Sequence, residues 1–406
     1  MQPVAANLNF PTSLALDDRG GIYIAESGLP FDGAPAGGRV LGVAPDGGLE
    51  CLLDGLRAPV NGVSFDRGWL YISEGGKPGR ITRYQIDTGD WQVVLDGLPG
   101  FGNYHTNRAV MGPDWKLYFS QGAMTNSGVI GPDSGDLAWL REVSHNCDIP
   151  GFDVVLAESA AGAFAPFGAV NETGRRIPGR VPCTASVMRC DPDGGHLELV
   201  AWGLRNAYGL GFLADGRLLA TDQGSDDRGS RPIAHCPDFL YQVLPGAWYG
   251  WPDFMGGQPV TDACFRPTDS PAPEFLLANH AELPAPQAPL LEFPVNACAV
   301  RFAQVPPRFT RFAGHLIVAL FGDEIPMTAR SGPRVGRKLV RVDPDGWSVH
   351  AVGPTALHRP IDVAFDSSGA AYVLDFGQFE MTPEMGVEAR AASGCLWRMC
   401  PGFMEV

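Results

Sequence analysis

At 406 residues, with 45% hydrophobic side chains, 52 Gly and 36 Pro, the chain could hold two or three ordinary domains or one large repeat array, and it is too apolar to stay disordered. A net charge of −15 argues against nucleic acid or an anionic membrane surface as partner. No run approaches the roughly 18 apolar residues of a membrane span. The N-terminal MQPVAANLNF has neither the basic start nor the apolar core of a signal peptide. The expectation is a cytoplasmic protein, or a periplasmic or secreted one whose leader is absent from this sequence.

In chain order, one strand–turn–strand phrase returns six times. After a weaker copy, TSLALDDRGGIYIAESG at 12–28, it reads in full NGVSFDRGWLYISEG at 61–75 and HTNRAVMGPDWKLYFSQG at 105–122. Partial copies follow as GLGFLADGRLLATDQG at 209–224 and RFTRFAGHLIVALFG at 308–322, and IDVAFDSSGAAYVLDFG at 361–377 is the last. Tyr23, Tyr71, Tyr118, Leu219, Ile317 and Tyr372 set the register, the first three spaced 48 and 47 residues apart. That period suits a four-stranded propeller blade. Five of the six copies are followed by a further strand signature: GRVLGVAPDG at 38–47, GRITRYQIDTG at 79–89, ASVMRCDPDG at 185–194, GRKLVRVDPDG at 336–346 and SGCLWRMC at 393–400. Asp-Gly turns after such runs are hairpin chemistry. The prediction is an all-β, six-bladed β-propeller, one domain over 1–406, with a long insertion at about 123–182 in blade 3 and a second at 251–294 between blades 4 and 5.

Blade geometry brings the residues before first strands and after second strands to one mouth of the channel. The first set is Asn61, His105, Arg205 with Asn206, Asn296 and Arg359; the second is Glu26, Glu74, Gln121, Asp222 to Asp226, and Asp375. Such convergence points to a polar ligand site. His105 there suits a general base for a substrate hydroxyl. Arg205 offers a planar fork for a carboxylate or quinone oxygen, and Arg359, two blades away, suggests an anionic ligand near the axis. DQGSDDRGSRP at 222–232 offers carboxylates and bare backbone to a hard cation such as calcium, or forms a solvated acidic turn. AWYGWPDF at 247–254 reads as a structural loop, with Trp248 or Trp251 able to stack on a flat ring. The nine cysteines lack CxxC pairs, which disfavours structural zinc; Cys147 with Cys183, or Cys236 with Cys264, could form disulfides.

HTNRAVMGPDWKLYFSQG, GLRNAYGLGF, DQGSDDRGSRP, WYGWP and RPIDVAFDSSGAAYVLDFG, in this order, resemble the glucose/sorbosone dehydrogenases, soluble quinoproteins that carry pyrroloquinoline quinone (PQQ) on a six-bladed propeller. GLRN and the Asp-Gln-Gly-Ser-Asp loop look closest to the L-sorbosone dehydrogenase-like branch. The resemblance implies that His105 takes the proton from a sugar hydroxyl as hydride goes to the quinone, and that Arg205 polarises the ortho-quinone. It also implies that Arg205, Asn206, Gln223 and Arg359 hold the cofactor, that Gly224 and Ser225 offer carbonyls to Ca2+, and that an external electron acceptor completes the turnover of a sugar or aldehyde by a monomer or homodimer. The sequence departs from the family at Tyr104, where the glucose enzymes carry Asp, and at Lys338, which is displaced in register from the expected cofactor-binding Lys. Two other readings are a calcium-dependent lactonase or esterase, with Glu26, Asn206, Asn296 and Asp375 around the metal, and a non-catalytic ligand-binding propeller.

Overall fold

The computed structural model describes the whole chain except residues 77, 101, 131–146, 159–161, 309–310, 354–355, 385, 400–401 and 405–406. The recurring phrase has a local cause. In blade 1 the turn carboxylate of Asp17 accepts the backbone N–H of Arg19 at 2.8 Å and of Gly21 at 2.6 Å, while the Tyr23 hydroxyl donates to its other oxygen at 2.9 Å. Tyr118 reaches Asp114 at 2.8 Å, and Tyr372 reaches Asp366 at 3.3 Å, in the same way. An Asp that mimics the turn backbone and a Tyr six or fewer residues on therefore clamp one hairpin. Leu219 and Ile317 lack the hydroxyl, which is why the copies in blades 4 and 5 are degenerate.

Each hairpin grows into a four-stranded antiparallel sheet. Blade 1 comprises Pro11–Leu16, Ile22–Glu26, Gly38–Val43 and Leu49–Leu56, and blade 2 comprises Val60–Asp66, Trp69–Glu74, Gly79–Gln85 and Trp91–Leu98. Blade 3 has a short inner strand, Val110–Met111, then Leu117–Gln121, Ser186–Cys190 and Glu198–Trp202. Blade 4 runs Ala207–Phe212, Leu218–Asp222, Asp238–Gln242 and Leu291–Phe293, and blade 5 runs Ala299–Gln304, Leu316–Leu320, Lys338–Asp343 and Ser348–Val352. In blade 6, Pro360–Phe365, Ala371–Asp375 and Gly394–Arg398 are completed by the N-terminal strand Gln2–Leu8, with Gln2 opposite Arg398 and Leu8 opposite Gly394. This closing strand carries no copy of the repeat phrase. The signatures that follow the repeat phrase fall on the third strands.

The second strand of each blade is covered on both faces and is almost wholly buried, whereas outer strands such as Leu49–Leu56, Trp91–Leu98 and Ser348–Val352 are largely exposed. In blade 1, Ala15, Tyr23 and Ala25 pack with Val63, Leu70 and Ile72 of blade 2, while Leu14 and Ile24 pack with Val363 and Val373 of blade 6. Burying each large aliphatic chain here contributes about 1.5–3 kcal/mol. Among the described residues there is no α-helix, and no helix long and apolar enough to cross a membrane.

Two expectations are corrected. The segment 251–294 does not separate blades 4 and 5: its end, Leu291–Phe293, pairs with Asp238–Gln242 as the outermost strand of blade 4. The cysteines considered for disulfides, Cys147, Cys183, Cys236 and Cys264, are all free thiols. Cys400 lies outside the described residues, as do 131–146 and 159–161 of the blade 3 insertion. The described remainder of that insertion is tied down by the buried Asp148, which accepts from the Met124 N–H at 2.7 Å and the Thr184 hydroxyl at 2.8 Å. The Trp-rich loop is structural, since Trp248 stacks on Trp202 at 6.4 Å and both Trp248 and Trp251 are buried.

Candidate functional site

The loops that enter the inner strands would leave backbone N–H groups without partners. The acidic residue ending the second strand supplies them. Glu26 accepts from Asn9 N–H and Glu74 from Arg57 N–H, each at 2.6 Å. Asp222 accepts from Asn206 N–H at 2.7 Å, and Asp375 from His358 and Arg359 N–H at 2.8 Å. Burial pushes the Asp222 carboxyl up to about 7, opposed by its backbone donors. Four of the acids placed at the mouth by their spacing are thus fasteners of their own blades. Glu26 and Asp375 are occupied in this way, so the lactonase set of Glu26, Asn206, Asn296 and Asp375 does not assemble.

What these loops surround is an axial cavity of about 190 Å³. Its walls include Asn61, Tyr104, His105, Asn206, Gln223 and Glu324. His105 is seated between two glycines that only Gly can occupy. A Cβ on Gly75 would lie 2.6 Å from His105 Cβ, and one on Gly122 would lie 2.3 Å from Tyr104 Cβ and 2.9 Å from Asn206 Oδ1. Burial pushes the imidazole down to about 4, partly offset by the Gly75 backbone, so the ring is neutral at pH 7. Its Nδ1 is shielded, and among the described residues neither it nor either polar side-chain atom of the neighbouring Asn103 has a partner within hydrogen-bond geometry. Asn206 is held from both sides: Asn107 donates to its Oδ1 at 3.0 Å, and its Nδ2 donates to Gln223 Oε1 at 2.7 Å. Across the cavity, burial pushes the Glu324 carboxyl up to about 7. The cavity wall thus holds a neutral imidazole and a carboxyl that ionises near neutrality.

Arg205 stands behind this wall. It is 2% exposed, and every nitrogen of its guanidinium is engaged by the protein. Nε donates to the Asn126 carbonyl at 2.9 Å, and Nη1 to the carbonyls of Gln223, at 3.3 Å, and Gly224. Nη2 donates to Asn126 Oδ1 at 2.6 Å, to Asp226 Oδ2 at 2.7 Å and to the Tyr104 hydroxyl. Ser225 is buried beside it, its hydroxyl 3.4 Å from the Asn126 carbonyl. Arg359 is also buried and stands behind the axial cavity, its guanidinium carbon 4.9 Å from the ring of Phe321, which lines that cavity with Glu324. It donates to the carbonyls of Phe379 at 2.6 Å and Asp323 at 3.0 Å, and to Glu380 at 3.2 Å, and it lines a separate cavity of about 370 Å³. Of the residues singled out in the sequence, Asn61, His105, Asn206 and Gln223 meet at one cavity, whereas Arg205, Gly224 and Ser225 form a layer behind it and Arg359 stands behind its Phe321 wall.

This arrangement does not fit PQQ with calcium. The Gly224 carbonyl already accepts from a cation, and a divalent ion 4 Å from a guanidinium is opposed by on the order of 8 kcal/mol at an effective dielectric of about 20. A tricarboxylate quinone in the axial cavity would meet Glu324 and, among the described lining residues, neither Arg nor Lys. Glu324, Tyr208, Asn103 and Asn107 complete the cavity and went unnoticed in the sequence. Glu324 carried no register signal: the position that ends the second strand with an acid or Gln in the other blades is Leu320 in blade 5, four residues earlier.

No protein-family model and no curated protein matches the chain. Solved structures do. The PQQ-bound aldose sugar dehydrogenase of Streptomyces coelicolor is 16% identical with a TM-score of 0.59, over 98% of this chain and 96% of that one. The holo PQQ domain of pyranose dehydrogenase from Coprinopsis cinerea is 15% identical with a TM-score of 0.60, over 98% and 94%. An oxidoreductase of Thermus thermophilus, proposed to be a glucose dehydrogenase, is 18% identical with a TM-score of 0.58, over 98% and 99%. At these identities the likeness establishes the propeller fold alone.

Proposed function

We propose that this chain is a small-molecule oxidoreductase of the sugar-dehydrogenase propeller type, oxidising a neutral hydroxylated substrate in the axial cavity with His105 as general base. The observation that carries this reading is the neutral imidazole of His105 on the wall of a cavity lined by the amide side chains of Asn61, Asn206 and Gln223. These amides suit sugar hydroxyls, which both donate and accept. The order of the five sequence motifs and the end-to-end likeness to sugar dehydrogenases of the same fold support the reaction class. Positioned base catalysis is worth about 10²–10⁴-fold in rate. As His105 takes the hydroxyl proton, the hydride on the same carbon passes to a two-electron quinone or dye acceptor that enters the cavity from outside and is thereby reduced. PQQ with calcium is the intermediary that the sequence resemblance implies, and the Arg205 arrangement speaks against it.

The test is dye-linked oxidation across a panel of aldoses, polyols and sorbosone, each with and without added PQQ and CaCl2. Turnover that is lost in His105→Ala and His105→Gln, while melting temperature holds, supports the reading. Turnover unchanged in His105→Ala, or no turnover of any panel member under any condition, removes it. Activity confined to sorbosone would place the chain in that narrower branch.

A further inference from the structure

We propose that the Arg205 guanidinium is a built-in replacement for a metal ion, occupying an oxygen cradle that would otherwise take a hard divalent cation such as calcium. The cradle consists of the Asn126, Gln223 and Gly224 carbonyls, Asn126 Oδ1, the Asp226 carboxylate and the Tyr104 hydroxyl. Backbone carbonyls, an amide oxygen and one carboxylate are the donor types that hard cations select. Here they are turned inward onto a side chain that stays charged at every accessible pH. Asp226 also takes Arg228, at 3.1 Å, so its charge is already compensated.

The protein thereby fixes one positive charge behind the cavity wall without a bound ion. That charge reaches the site through Tyr104, whose ring lies 4.4 Å from the guanidinium carbon and whose hydroxyl accepts from it. Arg205 is accordingly a positioning residue: it holds Tyr104 and the backbone at Gln223 in place, and it does not face the substrate. Its cation survives chelators that would strip a metal enzyme. The inference concerns the cradle and stands without the proposed activity.

Trp251 supplies the probe, because its indole N–H donates to the Asn126 carbonyl at 3.3 Å, close enough to sensitise terbium held in the cradle. Terbium, a luminescent calcium mimic, is titrated into the wild type, Arg205→Met and Asp226→Asn. The melting temperature of the wild type is recorded in parallel with millimolar CaCl2 and with EDTA. The expected results are equal wild-type melting temperatures in both buffers, and tryptophan-sensitised emission that appears in Arg205→Met with at least tenfold tighter apparent binding than in the wild type. Wild-type emission that Asp226→Asn leaves unchanged arises elsewhere on this acidic surface and agrees with a filled cradle. A saturable wild-type signal abolished by Asp226→Asn, or a wild-type melting temperature raised several degrees by calcium over EDTA, overturns the proposal. Should Arg205→Met not fold, the wild-type measurements decide alone. None of these readouts depends on turnover.

Discussion

The cradle around Arg205 and the cavity around His105 are adjacent and share Tyr104, yet they treat polar atoms in opposite ways. In the cradle, every guanidinium nitrogen has an oxygen partner supplied by the chain. In the cavity, His105 Nδ1 and the two side-chain polar atoms of Asn103 are shielded and, among the described residues, unpaired. A buried polar atom without a partner costs about 1–3 kcal/mol, so evolution tolerates it where something else is to complete the bond. Complete satisfaction marks a structural element even when its residue type is the one expected of a catalyst.

That contrast can be broken from either side. The largest effect is expected from Arg205→Ala, which leaves several buried oxygens without donors around a void: urea denaturation should show a loss of about 3–5 kcal/mol, from the cavity and the unsatisfied acceptors together. A loss under about 1 kcal/mol would mean that the cradle is not structural. His105→Ala should do the reverse, leaving the urea midpoint in place and lowering turnover by about 10²–10⁴-fold. The pH profile sharpens this. A base is active when unprotonated, and the folded imidazole titrates near 4, so the acid limb of the rate should fall through pH 4 and not through the usual value near 6.5.

Gly122→Ala tests the shared wall. The added Cβ must push Tyr104 and Asn206 apart, so a stability loss of about 1–3 kcal/mol should accompany a raised KM; a normal KM would place the substrate elsewhere. The smallest effect belongs to Glu324→Gln. The Glu324 carboxyl is raised to about 7 in the fold, so the folded state holds more protons than the unfolded one between about pH 4.5 and 7. Its contribution is therefore full below the unfolded value and declines as pH rises through 7. The Gln variant should narrow the difference in melting temperature between pH 5 and pH 8. It should not abolish it, because Asp222, near 7, and Asp148 and Asp238, near 6, follow the same sign. An unchanged difference would show that Glu324 is solvated.

The fold was legible because its unit is held by short-range bonds: the Tyr23–Asp17 clamp spans six residues and returns with Tyr118 and Tyr372. The strand Gln2–Leu8 was not legible, since its pairing with Gly394–Arg398 is the most remote in the chain and leaves no local pattern. Leu291–Phe293 was hidden for a different reason, being three residues at the end of a Pro-rich stretch. At the site, spacing correctly brought His105, Asn206 and Gln223 together. It could not show that the carbonyls beside Gln223 turn toward Arg205, because a loop open to a ligand and a loop closed on a side chain can share one sequence. Glu324 was passed over because the repeat register puts Leu320, not an acid, at the end of the second strand of blade 5.

The seam of the ring lies within a sheet and not between two blades, since Gln2–Leu8 zips onto Gly394–Arg398. During synthesis, almost the entire chain must emerge before the first strand meets its partner, and until then two sheet edges stand open to wrong pairings. Long-range pairing of this kind also slows folding. A circular permutant that carries Gln2–Leu8 behind Arg398 on a short linker would turn the seam into an ordinary hairpin. It should refold faster from urea and aggregate less, at little change in the final architecture.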